Sequence, residues 1–145
     1  MRNALKIIVA IACVAAVPSV ALATTATSSG KPFAINCYKE QFKPKRITIA
    51  CGDAGIWLSK LKWSSWGSAN AKGTGTYNQN DCTPDCAAGK IKSYPVEVTL
   101  SKPKSCSGQT QLAFKQAALT FTGARPPGPG VGKLTFRCPV LPGEY

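Results

Sequence analysis

Pro95-Val96-Glu97-Val98-Thr99-Leu100 alternates apolar and polar side chains, and its reading decides the fold class. A period of two places Val96, Val98 and Leu100 on one face of a strand and Glu97 and Thr99 on the other. Pro95 has no N–H to give to a ladder, so the strand is expected to begin there or to lie at a sheet edge.

Similar patterns flank this stretch. Upstream, Arg46-Ile47-Thr48-Ile49-Ala50-Cys51 sets Ile47, Ile49 and Cys51 on one face. Gly52-Asp53-Ala54-Gly55 supplies turn residues, and Ile56 to Trp63 is rich in β-formers, so the two segments predict a hairpin with a four-residue loop. Small and polar residues dominate from Ser64 to Gly75. A short strand is expected through Thr74, Thr76 and Tyr77, ended by Asn78-Gln79-Asn80-Asp81. Downstream, Ser101 to Thr110 reads as a loop. Residues 111–121 read as a strand with a bulge, because Leu112 and Phe114 differ in parity from Leu119 and Phe121. Arg125-Pro126-Pro127-Gly128-Pro129-Gly130 is an extended connector, and Leu134, Phe136 and Cys138 mark a last strand. Short strands divided by turn residues predict an all-β chain, a small disulfide-stabilised β-sandwich or barrel-like domain.

The N-terminus has a different character. Met1 to Lys6 carries two positive charges, Ile7 to Ala23 is apolar, and the run closes on Ala21-Leu22-Ala23. This is the pattern of a secretory signal cleaved after Ala23. The run is shorter than the roughly 20 residues of a membrane span and contains Pro18, so no span is expected in the mature form. A lipobox at Cys13 is disfavoured, because Ala10 stands where Leu or Val is usual. The expected organisation is a signal peptide at 1–23, a flexible Thr/Ser/Gly leader at 24–32 and a single β-rich domain at 33–145.

Cleavage would remove Arg2, Lys6 and Cys13 from 18 basic, 6 acidic and 7 cysteine residues, leaving 16, 6 and 6 and a net charge of +10. A chain of that size buries roughly two-thirds of its unfolded surface, enough for a modest core. An even cysteine number in an exported chain reads as disulfides, here Cys37, Cys51, Cys82, Cys86, Cys106 and Cys138, with 15 possible pairings. Zinc is the alternative for Cys82 and Cys86, but the chain has no histidine and the compartment is oxidising. No metal or other cofactor is expected.

The stretch from Pro44 to Cys106 resembles a family of small exported proteins of high-GC Gram-positive bacteria. The resemblance is carried by Arg46-Ile47-Thr48-Ile49-Ala50-Cys51-Gly52-Asp53, Leu61-Lys62-Trp63-Ser64-Ser65-Trp66-Gly67, Asn80-Asp81-Cys82-Thr83-Pro84-Asp85-Cys86-Ala87-Ala88-Gly89 and Tyr94-Pro95-Val96. It implies secretion and disulfide bonding and brings no activity with it. Cys37 and Cys138 lie outside the matching region, which supports pairing them with each other across the two ends of the domain. Cys82 and Cys86 are expected to pair elsewhere.

Without histidine there is no Ser-His or Cys-His nucleophile pair. Carboxylate catalysis would have to draw on Glu40, Asp53, Asp81, Asp85, Glu97 and Glu144. Asp53, Asp81 and Asp85 sit among Gly, Asn and Pro, where Asp serves turns. A non-catalytic role is therefore expected. Trp57 and Trp63 share strand parity with Leu61 and read as core. Trp66, beside Ser64, Ser65 and Gly67, reads as the tryptophan free to meet a ligand. The positive charge favours an anionic partner such as a cell-wall polymer, with Lys60 and Lys62 as candidate contacts. Thirteen of the sixteen mature basic residues are lysine, which suits diffuse attraction, and no specific nucleic-acid motif is present. A different partner, another extracellular protein, would meet Pro84 and Asp85 in a stiff loop between Cys82 and Cys86, as inhibitors use pre-organised loops.

Overall fold

The computed structural model describes residues 30–129 and 131–139. The expected signal peptide, Cys13 and Glu144 lie outside them. Eight strands follow in order: β1 Phe33–Asn36, β2 Lys39–Gln41, β3 Ile47–Thr48, β4 Ile56–Trp66, β5 Asn70–Asn80, β6 Ile91–Ser105, β7 Leu112–Phe121 and β8 Lys133–Thr135. They form one mixed sheet in the order β2-β1-β7-β6-β5-β4-β3, with β8 also on β7, curled into a half-barrel. The chain is all-β and disulfide-stabilised, and it takes the barrel-like form rather than two packed sheets.

The alternation at 96–100 does what its period dictates. Val96, Val98 and Leu100 are buried, and their ladder partners on either side, Gly75, Gly73 and Ala71 of β5 and Phe121, Leu119 and Ala117 of β7, face the same core. Pro95 lies inside β6, not at its start. Its carbonyl faces the side on which β7 has ended, receiving only the Thr122 N–H at 3.3 Å, so a missing N–H on that side breaks no ladder bond.

The stretch of small and polar residues from Ser64 to Gly75 is strand on both sides of a tight turn. β4 runs to Trp66, Gly67 N–H donates to the Asn70 carbonyl at 2.8 Å, and β5 begins at once. The small residues there answer to crowding by bulges in β4. Register shifts fall between Ser59 and Lys62 and between Trp63 and Ser65, and Lys60 takes a φ of 52°. A Cβ on Gly73 would lie 2.6 Å from the Lys62 carbonyl oxygen, and one on Gly75 would lie 2.8 Å from that of Ser59. The bulges also break the parity that joined Trp57 to Leu61. Leu58 and Leu61 face the core, Trp63 packs against it, and Trp57 stands on the outer surface.

β5 continues past the expected stop at Asn78 because that side chain is used across strands. Its Nδ2 donates to Ser59 Oγ at 2.9 Å, and its Oδ1 accepts from Ser93 Oγ at 2.9 Å. β7 is a strand, as expected, but without the expected shift: its register with β6 is constant from Phe121 to Leu112, although Phe114 and Ala117 are both buried so that parity switches between them. The switch lies opposite Lys102, whose φ is 54°.

The N-terminal strands close the sheet. Phe33 and Ala34 of β1 pair in parallel with Ala113 and Phe114 of β7, and β8 continues along that edge at Gln116 to Ala118. Thr48 N–H of β3 donates to Asn36 Oδ1 of β1 at 2.8 Å, drawing the far ends of the sheet together. Pro32, in the segment expected as leader, is buried, and its carbonyl accepts from Trp66 Nε1 at 2.8 Å.

The disulfides correct the expected pairing. Cys37 joins Cys51 and Cys106 joins Cys138, each with Cα atoms 5.6 Å apart, and Cys82 joins Cys86 at 3.8 Å. Cys37, at the β1–β2 turn, meets Cys51 because β1 abuts β3. Cys106 follows β6 and Cys138 follows β8, so the strands on either side of β7 bring them together. Cys82 and Cys86 pair because their loop folds on itself. Asn80 Oδ1 accepts the Cys82 N–H at 3.0 Å, and Asn80 Nδ2 donates to the Cys86 carbonyl at 2.8 Å. The loops closed span 14, 4 and 32 residues, so the stapling is more local than expected. In the chain-entropy account the 14-residue loop contributes about 3 kcal/mol.

Candidate functional site: a basic edge beside β4

The link between β2 and β3 is Phe42-Lys43-Pro44-Lys45-Arg46, and it lies along the outside of β4. Two bonds hold it there. Leu61 N–H, left free by the bulge at Lys60, donates to the Lys45 carbonyl at 3.1 Å. Trp63 Nε1 donates to the Pro44 carbonyl at 2.9 Å. Pro44 is buried by this arrangement while Lys43, Lys45 and Arg46 stay exposed, as do Lys60 and Lys62 of β4.

Five exposed basic residues therefore lie on two segments that are fastened to each other. Arg46 stacks its guanidinium 4.7 Å from the centre of the Trp57 ring, and the Lys43 ammonium stands 5.8 Å from that of Phe42. Among the described residues the one ion pair is Lys92 with Asp81, at 3.8 Å on another part of the sheet. No carboxylate among the described residues pairs with any of the five.

Trp66 is not part of this surface, contrary to expectation. It is 6% exposed, with Trp63, Phe42 and Phe114 packed edge-on at 4.7, 5.3 and 5.7 Å. The serines and glycine beside it suggested exposure, yet the second bulge in β4 turns the indole inward, where Pro32 satisfies its N–H.

Pro84 and Asp85 are exposed in the closed Cys82–Cys86 loop. Asp85 Oδ1 accepts from the N–H groups of Ala87 and Ala88 at 2.9 and 2.8 Å, so its carboxylate shapes the loop. Asp53 Oδ1 accepts from Gly55 N–H at 2.9 Å in the same manner. Asp81 Oδ1 accepts from Lys90 N–H at 2.7 Å and Thr83 N–H at 3.2 Å. These bonds, the one from Lys90 foremost, hold its carboxyl below the usual carboxylate range.

A second feature had no signature in the sequence. An open groove of about 470 Å³ lies between the β1–β2 turn, β3 and the segment after β8. Ile35, Ile49 and Phe136 line it together with Tyr38, which is 72% exposed, and with Arg137 and Cys138. Beside it Lys115 of β7 directs its ammonium at both sulfurs of the Cys106–Cys138 bridge, 2.9 Å from Cys106 Sγ and closer to Cys138 Sγ. Burial lowers the Lys115 pKa from its ordinary value, and the nearby Glu40 opposes that shift.

No family model, curated protein or solved structure matches this chain.

Proposed function

We propose that this chain is an exported, non-catalytic protein that binds an anionic polymer of the cell envelope through Lys43, Lys45, Arg46, Lys60 and Lys62. The observation that carries the reading is the gathering of five exposed cations on one bonded edge without a carboxylate partner. A rigid edge presents its charges at fixed spacing, so a polyanion meets several at once with little ordering cost. Four of the five are lysines, which favours a polymer with repeated point charges over one planar anion. Export rests on the N-terminal segment of the sequence, and three disulfides are of the kind found in extracellular proteins.

Co-sedimentation of the oxidised mature protein with purified cell-wall material across a salt titration tests the reading. Retention at low salt and release as salt rises is the expected result. Absence of retention at every salt, or retention indifferent to salt, overturns it.

A second reading is a secreted inhibitor or toxin-like effector of another extracellular protein. It rests on the closed loop that exposes Thr83, Pro84 and Asp85 between bridged cysteines. Replacing Pro84 and Asp85 should then abolish the effect while the domain stays folded, and an unaltered effect would remove that loop from consideration.

A further inference from the structure

We infer that Cys106–Cys138 is a thiol-exchange site, attacked at Cys138, with Lys115 positioned to stabilise the departing Cys106 thiolate. The three bridges differ in what surrounds them. Cys138 Sγ belongs to a half-buried residue in the wall of the open groove, so an incoming thiolate has a path to it. Cys106 is only 4% exposed. Access therefore selects Cys138 as the sulfur attacked and Cys106 as the leaving group.

Electrostatics single out this bridge among the three, while access alone chooses between its two sulfurs. A thiolate next to an ammonium has a lowered pKa, and a thiol of lower pKa leaves faster. Lys115 Nζ is within hydrogen-bonding reach of both sulfurs, and among the described residues no other bridge receives a side-chain N–H. The Cys82–Cys86 bridge is also exposed, but no side-chain ammonium stands at its sulfurs. Cys37–Cys51 borders the same groove without an ammonium on it.

The step balances with an external thiol as reductant. The thiolate RS⁻, its proton given to solvent, bonds to Cys138 Sγ while the bond from Cys138 to Cys106 breaks. The electron pair stays on Cys106 Sγ, beside the Lys115 ammonium. A second RS⁻ then attacks the mixed disulfide, releasing RS–SR and leaving Cys138 as thiolate. Two external thiols are oxidised and one protein disulfide is reduced. Opening leaves the three-residue β8 held to β7 by its own ladder, without the covalent tie to the end of β6.

The test treats the oxidised protein with reduced glutathione, quenches with acid at intervals, alkylates free thiols and maps the peptides by mass. The expected adduct is glutathione on Cys138 with Cys106 free. In Lys115→Gln its formation should slow roughly tenfold, and Lys115→Arg, which keeps the charge, should restore it. Rates at the other two bridges should not change. Glutathione on Cys106, or an equal rate in wild type and Lys115→Gln, overturns the inference. The position of the adduct is read in the wild-type protein, so that result does not depend on how a variant folds.

Discussion

Thr48 gives its backbone N–H to Asn36 Oδ1 at 2.8 Å, and this one side chain bridges the two ends of the curled sheet. Asn36 Nδ2 completes the seam by donating to Gln41 Oε1 at 2.8 Å and to the Arg46 carbonyl at 3.2 Å. Asn36→Ala removes the acceptor and both donors, and should cost about 1–3 kcal/mol. Urea unfolding of the oxidised protein measures this, and an unchanged midpoint would show that the seam is held by packing and the Cys37–Cys51 bridge alone.

Trp66 should matter to stability and not to binding. Trp66→Phe keeps an aromatic ring but abandons the Pro32 carbonyl, for an expected loss of about 1–3 kcal/mol. Trp66→Ala also opens a cavity among Phe42, Trp63 and Phe114 and should cost about 3–5 kcal/mol. Thermal unfolding reads both, while retention on cell-wall material by whatever remains folded should be unaltered.

Acid should loosen the 82–90 loop. The folded state holds the Asp81 carboxyl below its ordinary value, so its ionised form favours folding at neutral pH. That contribution is lost progressively as pH falls from the ordinary aspartate value through the lowered one. Protection of the Thr83 and Lys90 amides, taken relative to the intrinsic exchange rate at each pH, should fall over that interval, because their N–H groups bond Asp81. Asp81→Asn should weaken the protection already present at neutral pH, and a wild-type exchange profile in that variant would contradict the assignment.

The basic edge should answer to individual charges. Lys60→Gln and Lys62→Gln are each expected to weaken retention at low salt by roughly twofold to fivefold and to flatten its salt dependence. Lys133→Gln serves as the comparison, because Lys133 lies on β8, which pairs with β7 and not with β4 or the 42–46 link. Equal losses from all three variants would mean that net charge acts without a site.

Much of the sheet could be read from local pattern. Val96, Val98 and Leu100 were assigned correctly because a strand covered on one face must alternate, and the hairpin of β3 with β4 exists as expected. Its loop is longer than four residues, however, since the ladder stops at Thr48 and Trp57. Parity counted across a bulge puts Trp57 on the wrong face, and the small neighbours Ser64, Ser65 and Gly67 suggest exposure for Trp66 although the second bulge turns it inward. β1 has no local signature, because its four residues gain their strand character from β7, eighty positions later. Of the candidate contacts, Lys60 and Lys62 do lie on the basic edge. Their companions Lys43, Lys45 and Arg46 belong to a link that only the free Leu61 N–H and the Trp63 indole bring alongside.

The sequence by itself determined the class: alternating apolar residues, frequent turn formers and paired cysteine numbers leave little besides a disulfide-stabilised β-fold. Tertiary structure alone decided which cysteines pair, which tryptophan is buried and which cations stand together. The physical reason is that side-chain direction in a strand depends on the parity count since the last bulge. Proximity across a curled sheet depends in turn on where its ends meet, and neither is recorded in any local run of residues.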